Sequence, residues 1–263
     1  MHSALNMKFI LIHNQLFILF YLSNGDLCKR KVNLPAKIFE TVRSNSSIDV
    51  DESVLSRRRR DDETTFQSCQ ECCCNRVSNR IDCSYSNLHS IPQNTHYMTH
   101  VYADYNQIEK LIIPNTDSSV DIETKPIELW VRHNKLTFID FEEISRLTYL
   151  RLLVLQSNNI NDTLPAKVDH KSLEILELPG NAFTRIANDT FTHMPNLRNL
   201  SLASNRIEWI SKDAFIELTN LQELILRGNY MKSDGFTGLK DLKNLVKLDL
   251  SNNLIQVIKT VRI

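Results

Sequence analysis

One spacing of apolar positions recurs along most of the chain. From Leu197 to Asn253 three segments, LRNLSLASN, LQELILRGN and LVKLDLSNN, share the pattern L-x-x-L-x-L-x-x-N. Their asparagines are Asn205, Asn229 and Asn253, and the same frame read backwards finds Asn181, Asn158, Asn134 and Asn106. A two-residue period places Leu200 and Leu202 on one face of a short strand, with Asn199, Ser201 and Ala203 on the other. The pattern therefore predicts strands at about 101–104, 129–132, 153–156, 176–179, 200–203, 224–227 and 248–251, each closed by an asparagine where the chain turns. An asparagine amide has two donors and an acceptor, so seven in register can bond exposed backbone groups of neighbouring coils as a ladder. Ile207, Ile210, Phe215 and Leu218 would fold the return segment over the leucines. Burying one such side chain is worth about 1.5–3 kcal/mol, while ordering each residue costs about 1–2 kcal/mol of backbone entropy, so coils are stable only when stacked.

A pattern of this period resembles the leucine-rich repeat, read seven times. The resemblance implies an α/β solenoid: a horseshoe with a parallel concave β-sheet and a mostly irregular or short-helical convex side. The repeats are unequal. PNTDSSVDIETKP adds a polar bulge between Asn106 and Asn134, and the coil after Asn158 lacks the phenylalanine that Phe191 and Phe215 supply later.

The N-terminal quarter follows other rules. Met7 and Lys8 lead into FILIHNQLFILFYL and then Ser23, Asn24 and Gly25, a charged start, an apolar run and small residues. Residues 1–25 read as a secretion signal, with a signal anchor as the alternative. Residues 26–68 are polar, without period, and read as a disordered leader. Within it, Arg57, Arg58, Arg59 and Arg60 before Asp61 and Asp62 resemble a processing site for proprotein convertases; a solvated basic run is the competing reading.

Five of the six cysteines fall between Cys69 and Cys83, which points to a local stapled unit in an oxidising compartment. The spacing C-x2-C-x-C-x8-C of Cys69, Cys72, Cys74 and Cys83, followed by Ile91-Pro92, resembles the N-terminal cap of extracellular leucine-rich repeat proteins. Residues 69–96 would then be the cap and 97–263 the repeats. That family pairs first with third and second with fourth, implying Cys69 to Cys74 and Cys72 to Cys83. A four-thiolate zinc site is the rival, with no histidine partner to support it. Cys73 is extra to the pattern, and Cys28 is its unmatched companion. The two could form a disulfide, Cys73 could join two chains as a homodimer, or Cys28 could leave with the signal.

The mixed short and long coils resemble the small leucine-rich repeat proteoglycans of extracellular matrix, which implies a secreted protein binding collagen or a growth factor. No Ser-Gly dipeptide is present to carry a glycosaminoglycan. Asn45, Asn161, Asn188 and Asn199 head N-x-S/T sequons, candidates for glycosylation. The chain stops ten residues past Asn253 in mid-coil, so the last repeat reads as incomplete and uncapped, as in a fragment.

Charge and composition narrow the function. Net charge is zero, but residues 1–60 hold ten Lys/Arg against five Asp/Glu, leaving 21 against 26 in the remainder. A mildly acidic solenoid argues against nucleic acid as partner. No H-E-x-x-H, G-x-S-x-G or phosphate loop occurs, and five glycines scarcely allow the last, so neither enzyme activity, nor a cofactor, nor a catalytic metal is expected. The expected function is binding of an extracellular protein, whether matrix protein, growth factor or receptor. The alternative is the ectodomain of a cell-surface receptor or adhesion protein. Outward strand positions place Tyr102, Trp130, Leu152, Val154 and Ile175 on adjacent coils, flanked by His100, Arg132 and Tyr105, and Trp, Tyr and Arg are common interface anchors.

Overall fold

The computed structural model describes residues 7–12, 15–21, 27–31, 66–69 and 237 by backbone, and 72–75, 77–92, 95, 98–113, 126–161, 170–188, 190–191, 193–233, 235 and 238–256 with side chains. The chain divides into two units, 1–78 and 79–263.

In the first unit β1 (Met7–Ile12), β2 (Gln15–Tyr21) and β3 (Leu27–Lys31) form an antiparallel sheet in chain order. The apolar run read as a secretion signal supplies β1 and β2, and its Phe, Ile and Tyr residues suit strands as well as they suit a signal's apolar core. β4 (Phe66–Cys69) and β5 (Cys72–Asn75) make an antiparallel hairpin. β3 and all of β4 but Cys69 fall in the segment 26–68, read as a disordered leader. A pairing partner, here β2 for β3 and β5 for β4, gives order to sequences that carry no strong period of their own. Arg57 to Arg60 and Asn45 lie outside the described residues, as do the side chains of Cys28 and Cys69. Cys72, Cys73, Cys74 and Cys83 are all disulfide-bonded, so the extra Cys73 is not a free thiol.

The second unit is a solenoid. β6 (Arg80–Asp82), β7 (His100–Tyr102), β8 (Glu128–Trp130), β9 (Leu152–Val154), β10 (Ile175–Glu177), β12 (Asn199–Ser201), β14 (Glu223–Ile225) and β15 (Lys247–Asp249) pair in parallel, each with the next. Each of the seven predicted strands is present but begins one residue early, and Arg80–Asp82 adds an eighth ahead of them. The offset has a cause in the turn. Leu202 N still donates to Ile225 O at 2.8 Å, but Ser204, two residues on, already has φ +54°. The second leucine of each pair therefore packs inward past the end of the strand. On the return side lie a short helix, α1 (Phe141–Ser145), capped by Asp140, and a two-strand parallel pair, β11 (Arg185–Ile186) with β13 (Trp209–Ile210).

The ladder of asparagines exists in full. Asn205 Oδ1 accepts from Phe183 N at 3.2 Å, and its Nδ2 donates to Leu178 O at 3.1 Å and Leu202 O at 3.0 Å. Asn106, Asn134, Asn158, Asn181, Asn229 and Asn253 repeat the arrangement with their own neighbours. The residue before each rung lies in the left-handed region: Tyr105, His133, Ser157, Gly180, Ser204, Gly228 and Asn252, with Tyr85 as the counterpart in the first coil. A second ladder went unread in the sequence. Asn196, Asn220 and Asn244 donate Nδ2 to Lys171 O, Pro195 O and Thr219 O in the preceding coils at 2.6, 2.8 and 2.6 Å. Its signal was the N-L dipeptide at a 24-residue spacing. Inside, Leu153, Leu155, Leu176, Leu178, Leu200, Leu202, Leu224 and Leu226 are buried, and Phe191 stacks on Phe215 with ring centroids 6.0 Å apart.

Candidate functional site

Successive strands stack their outward residues in columns. One column runs Arg80, His100, Glu128, Leu152, Ile175, Asn199, Glu223, Lys247; the next runs Asp82, Tyr102, Trp130, Val154, Glu177, Ser201, Ile225, Asp249. Parallel pairing in register makes these residues neighbours although 20 or more residues separate them in the chain.

At the N-terminal coils the columns form a continuous polar-aromatic surface. Tyr102 stacks on Trp130 with centroids 5.8 Å apart. The Arg80 guanidinium lies 4.9 Å from the Tyr102 ring centroid and its Nη2 donates to Tyr102 Oη at 2.9 Å. Arg132 lies 4.8 Å over the Trp130 ring. Its Nε and Nη2 donate to Asp104 Oδ2 at 2.9 and 2.7 Å. Alongside, at the left-handed positions, Tyr85, Tyr105 and His133 form a second stack, with spacings of 4.5 and 4.2 Å and rings within 12° of parallel. Burial pushes the Tyr102 phenol up, with Arg80 opposing, and burial followed by the neighbouring Tyr105 pushes the Tyr85 phenol up.

The residues singled out in the sequence come together here, with one correction. Val154 is buried, 4% exposed, because it sits in the ladder between Trp130 and Glu177. It supports the surface rather than presenting itself. Leu152 and Ile175 are half-buried, and His100 Nε2 lies 3.8 Å from Glu128 Oε1. Tyr105 is 43% exposed. Arg80, Tyr85, Asp104 and His133 belong to the same surface and were missed. Their signal was positional: Tyr85 and His133 precede the turn as Tyr105 does, and Arg80 heads a coil whose asparagine is replaced by Ser86. His100 and His133 stand on different columns, the first facing Glu128 and the second stacked on Tyr105. Among the described residues no group of three His, Cys, Asp or Glu side chains could hold a metal ion.

Farther along, Glu177 is half-buried, and loss of solvent with the nearby Glu223 charge raises its carboxyl above the usual range despite a hydrogen bond from Ser201. Of the sequons, Asn161 and Asn188 are exposed. Asn199 lies on the strand face, its Nδ2 donating to Glu223 Oε2 at 3.0 Å. Among the described residues no helix is long and apolar enough to cross a membrane.

The family described as Leucine rich repeat matches residues 171–231. A comparison with curated proteins finds no match. Among solved structures the chain is similar to one in the octameric complex of Latrophilin 3, Unc5D and FLRT2 (LRR), with TM-score 0.54 and 22% identity, covering 70% of this chain and 62% of that one. It is also similar to a leucine-rich repeat protein of Leptospira interrogans (TM-score 0.50, 27% identity, 65% of this chain and 42% of that). A TDR receptor aligns at TM-score 0.51 and 25% identity over 67% of this chain and 31% of that. The chain spans less than two thirds of the length of each of these structures. Parallel strands in register, a complete asparagine ladder and the family match at residues 171–231 are those of a leucine-rich repeat solenoid.

Proposed function

We propose that this chain is a secreted, non-enzymatic binding module that captures an extracellular protein on the sheet face of its N-terminal coils, from Arg80 to Ile175. The carrying observation is the interlocked set Arg80, Tyr102, Trp130 and Arg132, with Tyr85, Tyr105 and His133 beside it. Arginines held over aromatic rings, and rings held against one another, are fixed before a partner arrives, so little side-chain entropy is lost on binding. Aromatic and arginine side chains are also the usual energetic centres of protein interfaces. FLRT2 stands in an octameric complex with Latrophilin 3 and Unc5D, and a solenoid of the same fold found in a complex with other proteins supports protein binding as the role here. A matrix ligand such as collagen or a growth factor is the favoured class from the resemblance to matrix proteoglycans. Similarity to a receptor structure favours, as a second reading, the ectodomain of a cell-surface receptor. In either reading Cys69 to Cys74 and Cys72 to Cys83 are the proposed cap disulfides, and Asn161 and Asn188 the proposed glycan sites away from the face.

An array of extracellular proteins, probed with the wild-type chain and with a Tyr102→Ala, Trp130→Ala variant, tests this. Capture should be lost in that variant and kept in an Arg227→Ala, Lys247→Ala variant. The reverse pattern would place binding at the other end of the solenoid.

A further inference from the structure

We infer that Glu177 is the receptor for an arginine side chain of the protein partner, an inference that rests on the binding face proposed above and assigns the partner's chemistry at its C-terminal margin. The strand face carries several acidic side chains. Asp104 meets Arg132 and Glu223 meets Lys247, and Glu128 has the His100 imidazole beside it. Among the described residues Glu177 meets no cation. Its neighbours on the face are Ile175 and Pro179 on its own coil, Val154 and Ser201 across the ladder, and Leu152 and Asn199 diagonally. None is basic.

A carboxylate in such surroundings is expensive, since removing it from water is offset only by the Ser201 hydrogen bond. Replacing it by glutamine would keep the hydrogen bond and remove the charge, so the charge serves the surface and not the fold. The setting favours guanidinium over ammonium. Leu152 and Ile175, backed by the buried Val154, offer an apolar bed for an aliphatic stem, and the planar, weakly hydrated guanidinium gives up less water on entering a half-desolvated site. It can also meet both carboxylate oxygens in a fork. Trp130 flanks Val154 in the same column, so an arginine here would lie next to the aromatic surface and extend it by two coils.

The test uses N-acetyl-arginine amide as the probe, titrated into the full chain with methyl NMR of Ile, Leu and Val side chains. The Ile175 and Val154 methyl signals should move saturably with the arginine amide, more weakly with the lysine amide, and not with the glutamine amide. In Glu177→Gln the saturable movement should vanish while the thermal transition shows the chain folded. Absence of movement in the wild type, or equal movement in Glu177→Gln, would overturn the inference. The aromatic surface is tested apart from it: a Glu177 failure with array capture still lost in Tyr102→Ala, Trp130→Ala removes only the arginine receptor.

Discussion

Asp104 and Arg132, outward residues of adjacent coils, hold each other by three bonds: Oδ2 accepts from Nε and Nη2, and Oδ1 accepts from the Arg132 backbone N at 2.7 Å. Asp104 is 4% exposed, so it anchors the arginine that in turn covers Trp130. Truncating it would leave a backbone N–H without its acceptor and a guanidinium without its positioner. Asp104→Ala should therefore cost about 2 kcal/mol, read as the shift in a denaturant midpoint. It should weaken partner capture beyond that shift, because Arg132 would no longer be fixed over the ring. An unchanged midpoint would mean that the pair is held by solvent-competed contacts only.

The asparagine ladder predicts a gradient of cost along the solenoid. Asn205 is buried between coils, and Asn205→Ala strands Phe183 N, while Leu178 O keeps its bond from Asn181 Nδ2, which should cost about 2 kcal/mol. Asn253 makes the matching bonds from a half-exposed position, and water can replace part of them. Asn253→Ala should cost about 1 kcal/mol or less. Equal losses in urea titrations of the two variants would contradict the ladder as the source of stability.

Much of this was legible in the sequence for a simple reason. The strand leucines and rung asparagines obey local rules repeated at constant spacing, so each coil confirms the others. The binding surface was legible only in part. Tyr102 and Trp130 could be placed because the two-residue period fixes which face they share. Asp104 and Arg132 could not be paired, since their contact depends on the bulged coil between Asn106 and Asn134 restoring exact register after extra residues. Val154 was misplaced outward for a related reason: period alone says which way a side chain points, but not that its larger neighbours cover it.

His170 predicts a pH dependence. It is 2% exposed, its Nε2 lies 3.2 Å from Ile144 O, and Ser172 Oγ approaches Nδ1 at 3.5 Å. Burial lowers its pKa below the usual 6.5, the backbone bond opposing. The unfolded chain thus takes up a proton that the folded chain refuses. Its contribution is present above pH 6.5 and is lost as pH falls from there toward the folded value. His170→Gln should flatten the stability curve below pH 6.5, measured by urea unfolding across the range; an unaltered slope would show that other groups carry it.

Glu177 has the opposite sense. Its folded pKa lies above the usual 4.5, so the fold tolerates the neutral acid better than the carboxylate. The contribution is full below pH 4.5 and is lost as pH rises through the folded value. Glu177→Gln should melt higher than the wild type at pH 7 and at nearly the same temperature at pH 4. A lower melting temperature at pH 7 would mean that the charge is compensated within the chain.

The most direct measurement of the central claim uses Trp130 itself. The chain has two tryptophans, and Trp209 lies on the return side in β13 with 43% exposure, so Trp209→Phe leaves Trp130 as sole reporter. Acrylamide quenching of that variant is followed as a partner captured on the protein array is added to saturation. Binding at the aromatic surface predicts a fall in the quenching constant that tracks occupancy. Quenching of Trp130 unchanged at saturation would contradict it and move the binding site off the N-terminal strand face.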